Sequence, residues 1–501
     1  MKWMLAACCL FIVSAAQAGE PVEKLYATHC ASCHGPDRLG GTGPALLPEN
    51  LERLRRPEAI KTIAQGRAAS QMAGFSDKLA KDEIEALVGF IYSSLPYTPV
   101  WGEKEISTSR VLYGDPAYLS DKPLFKADPL NLFVVVELGD HHATILDGDK
   151  FEPILRFPTR FALHGGPKFS PDGRYVYFAS RDGWISKFDI YNLKTVAETR
   201  AGINSRNLAV SGDGKTILVG NYLPHSLVLL DADNLSLIKI IPTVGQDGKS
   251  SRVSAVYQAE PRGSFIAALK DVKEVWEIPY AGQAGKKGPQ TFPVRRIVVD
   301  DYLDDFFFDQ SYKHLISTAR DSKKGHVLDL DTGKKVADLD LPGMPHLGSG
   351  ITWDYQGHPV MATPNTKEGV VTVIDMQTWK TIKQIKTPGP GFFMRSHENT
   401  RYAWTDGFAT GNPESRDTMT LIDKNTLEVA HVLRPEPGKT AAHVEFTRDG
   451  KYVLVSVWEM DGALVIYDAE TLQEVKRIPM KKPSGKYNVY NKITRSAGTS
   501  H

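Results

Sequence analysis

Cysteine is scarce in this sequence, with four in 501 residues, and two of them, Cys8 and Cys9, lie in an apolar segment at the amino terminus. A framework of structural disulfides is thereby excluded. The remaining pair, Cys30 and Cys33, would close a loop too small to restrain an unfolded chain to any useful extent. Long hydrophobic runs are missing as well. The one apolar stretch, Met4 to Ala16, has 13 residues between a positive Lys2 and the small residues around Ala18. That is short of the about 20 needed to cross a bilayer. It reads as a signal peptide over 1–18, followed by a soluble, exported, periplasmic chain beginning near Gly19. A lipoprotein site at Cys8 would leave too little apolar chain for export. Nor is either charge in excess: apart from Lys2 there are 59 basic and 59 acidic side chains. That balance argues against a nucleic-acid partner, which needs clustered cations. A Gly-x-Gly-x-x-Gly turn is also lacking, so neither flavin nor nicotinamide is expected.

Residues 19–97 carry a helical pattern. Val22 to Cys33, Glu49 to Gln65 and Asp82 to Leu95 place apolar side chains at helix spacing, as in Ile84, Leu87, Val88 and Ile91. Residues 98–128 hold scattered prolines and glycines without a sustained period and read as a linker lying on the surface of a second domain. From residue 129 to 491 the pattern becomes short strands in a weak repeat whose third strand closes on aspartate. Asp147, Asp189 and Asp231 are 42 apart, and Asp329, Asp375, Asp423 and Asp468 are 46, 48 and 45 apart. The spacing of 98 from Asp231 to Asp329 leaves room for two units, one ending near Val275–Pro279. Eight units of four strands predict an eight-bladed β-propeller, because a blade cannot bury both of its faces alone. The fold expected is a small all-α domain over 19–97, an all-β eight-bladed propeller and a tail over 492–501.

Cys30-Ala-Ser-Cys33-His34 is the pattern for covalent haem attachment, with two thioethers and a histidine on the iron. A zinc site would need two further ligands nearby, and the sequence offers none. Between His34 and the linker stands one methionine, Met72 in QMAGF, and no histidine. Met72 is therefore the expected second axial ligand, and a His/Met pair suits electron transfer.

A c-type domain followed by an eight-bladed propeller resembles the cytochrome cd1 nitrite reductases and their relatives. The resemblance rests on FALHGG around His164, SRDGWISKFD with Arg181, GINSRNL with Arg206 and GKYNVYN from Gly485 to Asn491. It implies that His164 is the axial ligand of a non-covalent haem d1 and that Arg181 and Arg206 hold its carboxylates, a pairing that suits the guanidinium fork. Two departures stand out. The reductases carry two histidines that protonate nitrite; Asp304 and Asn365 occupy the matching positions here. An ionised carboxylate and an amide are poor proton donors near neutral pH.

The same layout with the same losses resembles the dihydro-haem d1 dehydrogenases of haem d1 biosynthesis. Membership there implies oxidation of a propionate of dihydro-haem d1 to an acrylate. It also implies electrons leaving through haem c, and transient contact with cytochrome cd1 nitrite reductase and other d1-assembly proteins. That chemistry needs a base beside the propionate. His443 in TAAHVEF, immediately before the first strand of the last blade, is the expected base, with Tyr487 of YNVYN as its partner. His346 in GMPHLGSG is a candidate for the far side of the d1 iron. Packing roles for these three, a non-catalytic d1 carrier and a nitrite reductase with altered proton donors remain open alternatives.

Overall fold

The structure is a computed structural model, which describes residues 20–52, 54–66, 72–280, 291–319, 324–341 and 344–494. The expected signal peptide and most of the expected tail lie outside the described residues. The chain divides into two compact units, 1–96 and 97–501.

The first unit is helical: α1 (Val22–His29), α2 (Ala31–His34), α3 (Pro48–Leu51), α4 (Arg56–Gln65) and α5 (Lys81–Ile91). Ile84, Leu87, Val88 and Ile91 of α5 are buried on one face and pack with Leu25, Tyr26, Leu51, Ala59 and Ile63. The helices are shorter than their apolar periodicity suggests. The first breaks at Cys30, whose backbone leaves the helical region (φ −120°). The second restarts at Arg56 because Pro57, lacking an N–H, fits only in a first helical turn.

The second unit contains, among the described residues, eight antiparallel sheets, seven of four strands and one of five. The innermost strands are Lys168–Phe169, Asn204–Val210, Val253–Ala259, Leu303–Phe308, Ile351–Tyr355, Met394–Arg395, Ala441–Phe446 and Pro483–Asn488. Neighbouring blades bury their faces against each other. Leu218, Leu227 and Leu229 of one sheet, for example, pack on Val256, Phe265, Ala267 and Trp276 of the next. Each fully buried residue of this kind contributes about 1.5–3 kcal/mol, so the ring is held mainly between blades. It closes where Pro483–Asn488, the last strand of the chain, pairs with Leu132–Glu137, the first strand of the opening sheet, with Tyr487 opposite Val134.

The recurring aspartates end the third strand of seven blades, and the remaining third strand is Glu274–Pro279. Each aspartate shapes the turn after it. Asp375 Oδ1, for instance, accepts the N–H of Gln377 (2.7 Å) and Thr378 (2.8 Å). Four residues further on comes a left-handed residue: Phe151, Leu193, Leu235, Gly333, Trp379, Leu427 and Leu472 have φ between +51° and +69°.

The stretch read as a featureless linker is structured. It contains α6 (Glu103–Ser109), whose Ile106 is buried, and a strand, Val111–Leu112, which adds a fifth member to one sheet by pairing with Glu198 and Ala197. Trp101 Nε1 donates to Arg200 C=O at 2.8 Å. Elements this short are below the length at which periodicity is visible.

Candidate functional sites in the two units

In the helical unit, Cys30 lies at the junction of α1 and α2, and Cys33 and His34 lie in α2. His34 Nδ1 donates to Pro44 C=O at 2.7 Å, which fixes the tautomer and leaves Nε2 as the lone pair. Burial lowers the His34 pKa, against the opposing effect of that bond, so the ring is neutral as a metal ligand must be. Gly43 is required beside it, because a Cβ there would come within 2.8 Å of the imidazole. Met72 packs against the helical core in a segment that returns past the end of α4. Gly66 (φ +73°) makes that passage, and a Cβ on it would lie 2.6 Å from Met72 C=O. These residues fit a covalent haem.

In the propeller, seven blades begin with their innermost strand and the eighth takes Pro483–Asn488 in that place, so the starts of those strands gather at one mouth of the central channel. His164 precedes Lys168–Phe169 there, on a turn that needs Gly165 (φ +80°), since a Cβ would approach Asn207 to 2.7 Å. Its Nδ1 donates to Arg206 C=O at 2.7 Å. The Nε2 lone pair meets Arg206 Nη1 at 2.9 Å and Arg181 Nη2 at 3.3 Å. The three residues chosen from the sequence therefore converge. The same lone pair can serve an iron, which would free both guanidiniums for carboxylates, so these residues fit an iron macrocycle with acidic substituents.

His346 lies on the loop before Ile351–Tyr355. Its Nδ1 is 2.8 Å from Phe392 C=O, its ring packs on Phe392 (centroids 3.9 Å apart), and burial pushes its pKa down to about 4. Like His164, it lies just ahead of the innermost strand of its blade, which puts it at the same mouth.

His443 lies within the strand Ala441–Phe446, not before it as the sequence suggested. It forms the bulge between Ala442 and Val444, at φ +51°. A bulge adds one residue to a strand and re-aims its side chain, which sequence spacing does not reveal. The ring is 1% exposed, and neither nitrogen has a hydrogen-bond partner among the described residues. It packs edge-on against Tyr487 (centroids 5.3 Å apart) and against Phe393 (4.8 Å). Burial, reinforced by Lys486, Arg395 and Lys492, holds its pKa well below the ordinary histidine value. Burial also raises the Tyr487 phenol, which stays protonated.

Asp304 is ion-paired to Lys270 Nζ at 3.1 Å. Asn365 Oδ1 is used by the N–H groups of Met344 (3.2 Å), Lys367 (2.9 Å) and Glu368 (3.0 Å), and so shapes the loop that carries His346. Sequence reasoning missed several buried charges beside the channel: Asp406, Lys486, Glu445 and Arg395, whose Nη2 has no partner among the described residues. The available signal was a charge at an innermost or second-strand position between uncharged neighbours, as in TDGF and GKYN.

The family profile described as "Cytochrome D1 heme domain" matches residues 127–492. The chain belongs to the cytochrome d1 haem-domain family. Within the d1 family it is similar to the "Dihydro-heme d1 dehydrogenase" of Pseudomonas aeruginosa, at 59% identity over 98% of each chain. It is also similar to the nitrite reductase of Stutzerimonas stutzeri, at 26% identity over 95% of this chain and 93% of that one. Protein NirF of Pseudomonas aeruginosa is 30% identical over 71% of this chain and 90% of its own. The solved structure titled "Dihydro-heme d1 dehydrogenase NirN in complex with DHE" superposes with a TM-score of 0.91 at 59% identity, covering 95% of this chain and 100% of that one. Residues 17–91 match the profile "Cytochrome C oxidase, cbb3-type, subunit III".

Proposed function

We propose that this member of the d1 family is a dihydro-haem d1 dehydrogenase, converting a propionate of dihydro-haem d1 to the acrylate in the last step of haem d1 formation. Residues 19–97 serve as the cytochrome c domain and 129–491 as the macrocycle-binding propeller. Identity of 59% across nearly the whole chain supports the reading. The observation that carries it within the site is His443, a neutral, buried imidazole with both nitrogens unengaged by protein among the described residues. Leaving a buried polar group unpartnered costs about 1–3 kcal/mol, which makes sense where a ligand completes it.

Making –CH=CH– from –CH2–CH2– removes two protons and two electrons. His443 takes the proton from the carbon next to the carboxylate. The neighbouring carbon gives up a hydride equivalent, whose electrons pass one at a time to one-electron acceptors and whose proton goes to solvent. Haem c, held by Cys30, Cys33, His34 and Met72, supplies one-electron redox chemistry when bound. His164 would ligate the iron of the substrate, Arg181 and Arg206 would hold its carboxylates, and His346 is a second candidate for the iron. Tyr487 packs on the base and remains a proton donor. The surroundings of Asp304 and Asn365 disfavour nitrite reduction, because one is ion-paired and the other is committed to backbone N–H groups. We place the reaction in the periplasm, with transient hand-over of product to cytochrome cd1 nitrite reductase and to other d1-assembly proteins.

The test is to incubate the haem c holoprotein with dihydro-haem d1 and an excess of a one-electron chemical oxidant, then weigh the extracted tetrapyrrole. The product is lighter by two hydrogens. A protein that binds the macrocycle and returns it unchanged is a carrier, and the proposal then fails.

A further inference from the structure

The His443 ring nitrogens have no hydrogen-bond partner among the described residues, yet its backbone is held on both sides by buried polar side chains. A left-handed non-glycine residue in the middle of an extended strand is unfavourable and persists only where surrounding groups over-determine it. Here two groups do so. The N–H of His443 donates to Asp406 Oδ2 at 3.1 Å, and its C=O accepts from Lys486 Nζ at 2.6 Å. These bonds engage the two peptide groups flanking the His443 Cα, so together they fix its φ and ψ.

Asp406 and Lys486 are 1% and 0% exposed. They come from different blades on either side of the His443 strand: Asp406 ends Tyr402–Asp406 and Lys486 lies in Pro483–Asn488. Each is anchored apart from His443. Asp406 Oδ1 accepts the N–H of Phe392 at 2.7 Å, and Lys486 Nζ donates to Ser456 Oγ at 2.8 Å. No direct ion pair joins the two among the described residues, although each feels the other's charge. A carboxyl group and an amine taken fully out of water are expensive to keep charged, and burial accordingly pushes the Asp406 carboxyl up to about 7 and holds Lys486 well below the ordinary lysine value; an apolar pair would fill the space without that penalty. A backbone that must be aimed explains their presence.

We infer that Asp406 and Lys486 are positioning residues that hold His443 in its left-handed backbone and thereby aim its imidazole at the substrate. The inference rests on His443 being the base. Of the two, Lys486 gives the cleaner test, because Asp406 also binds the Phe392–Phe393 segment on which His346 leans.

In the haem c holoprotein, Lys486→Met should lower kcat by about 10²-fold, the usual effect of misplacing a reacting group by about 1 Å. Its dissociation constant for dihydro-haem d1, read from the absorption spectrum, should stay within about twofold. Combined with His443→Ala it should cause no further loss, since a residue that acts through the base has nothing to act on once the base is gone. Asp406→Asn should also lower kcat without weakening binding. Should both charge-removing variants fail to fold, Ser456→Ala keeps both charges while deleting one Lys486 acceptor, and should lower kcat severalfold. Folded Lys486→Met, or Ser456→Ala in its place, turning over at the wild-type rate while His443→Ala is slow would overturn this inference alone. So would a loss that persists undiminished in the His443→Ala background. A His443→Ala protein at the wild-type rate would instead overturn the assignment of the base, and the positioning role with it.

Discussion

Replacing His443 with alanine separates stability from chemistry. The ring makes two aromatic contacts, with Phe393 and Tyr487, each worth about 0.5–1.5 kcal/mol. Against that loss, removal relieves two buried nitrogens that lack partners among the described residues, a strain of about 1–3 kcal/mol. The left-handed backbone penalty is common to histidine and alanine and drops out of the difference. The terms nearly cancel, leaving a net destabilisation of no more than about 2 kcal/mol, so the propeller should still fold and bind the macrocycle. Turnover should behave differently, because losing a general base costs about 10²–10⁴-fold. Thermal melts followed by circular dichroism give the first quantity, and mass spectrometry of extracted tetrapyrrole in single-turnover time courses gives the second. His443→Asn, a residue that tolerates the left-handed region, provides a control for backbone strain and should be as slow as the alanine variant. Acrylate formed at the wild-type rate by either protein would refute the reasoning. So would a collapse of the fold, which would show that the imidazole is bonded in a way the structure does not reveal.

Met72→Ala should open the c-type iron to carbon monoxide and lower its potential, read by absorption spectroscopy and redox titration; an unchanged spectrum would rule out Met72 as the ligand. Arg206→Ala should weaken dihydro-haem d1 binding about 10- to 150-fold, the equivalent of losing one charge-assisted bond of about 1.5–3 kcal/mol, while the haem c spectrum stays as it was. Normal affinity in a spectral titration would place the carboxylates elsewhere. Burial pushes the Asp182 carboxyl up to about 7, chiefly by desolvation. A carboxyl whose folded pKa is raised favours the fold when protonated, so its contribution is present below about pH 4 and is lost as pH rises through 7. Asp182→Asn should therefore shrink the drop in melting temperature between pH 5 and pH 8, and an equal drop in both proteins would contradict the assignment.

The blade count was legible because each third strand ends on an aspartate whose carboxylate builds the next turn, a chemical requirement that repeats wherever the turn does. The left-handed residue four positions on went unread because leucine, phenylalanine and tryptophan carry no mark of backbone conformation. His164, Arg181 and Arg206 were found through short motifs, and they meet because adjacent blades bring the starts of their strands together. Asp406 and Lys486 escaped because their partners are backbone atoms of a residue in another blade, and backbone atoms are the same at every position. The position of His443 was read to within a residue or two; its bulge was not, since one inserted residue changes the direction of a side chain without altering local composition. The helices of the first unit were over-extended for a related reason: apolar spacing continues across Cys30 and ahead of Pro57, while the backbone does not.

The strand that closes the propeller also delivers Lys486 and Tyr487. A nascent chain that has reached Phe446 already has His443, Asp406 and the residues around His164, but the imidazole then has no tyrosine ring beside it and no ammonium on its carbonyl. Those arrive only when Pro483–Asn488 pairs with Leu132–Glu137, a contact between segments some 350 residues apart in sequence. With His443 as the proposed base, completion of its surroundings and sealing of the ring are one event. On the proposed roles of these residues, a chain truncated before residue 483 should turn the macrocycle over at least about 10²-fold more slowly even where seven of its blades had formed.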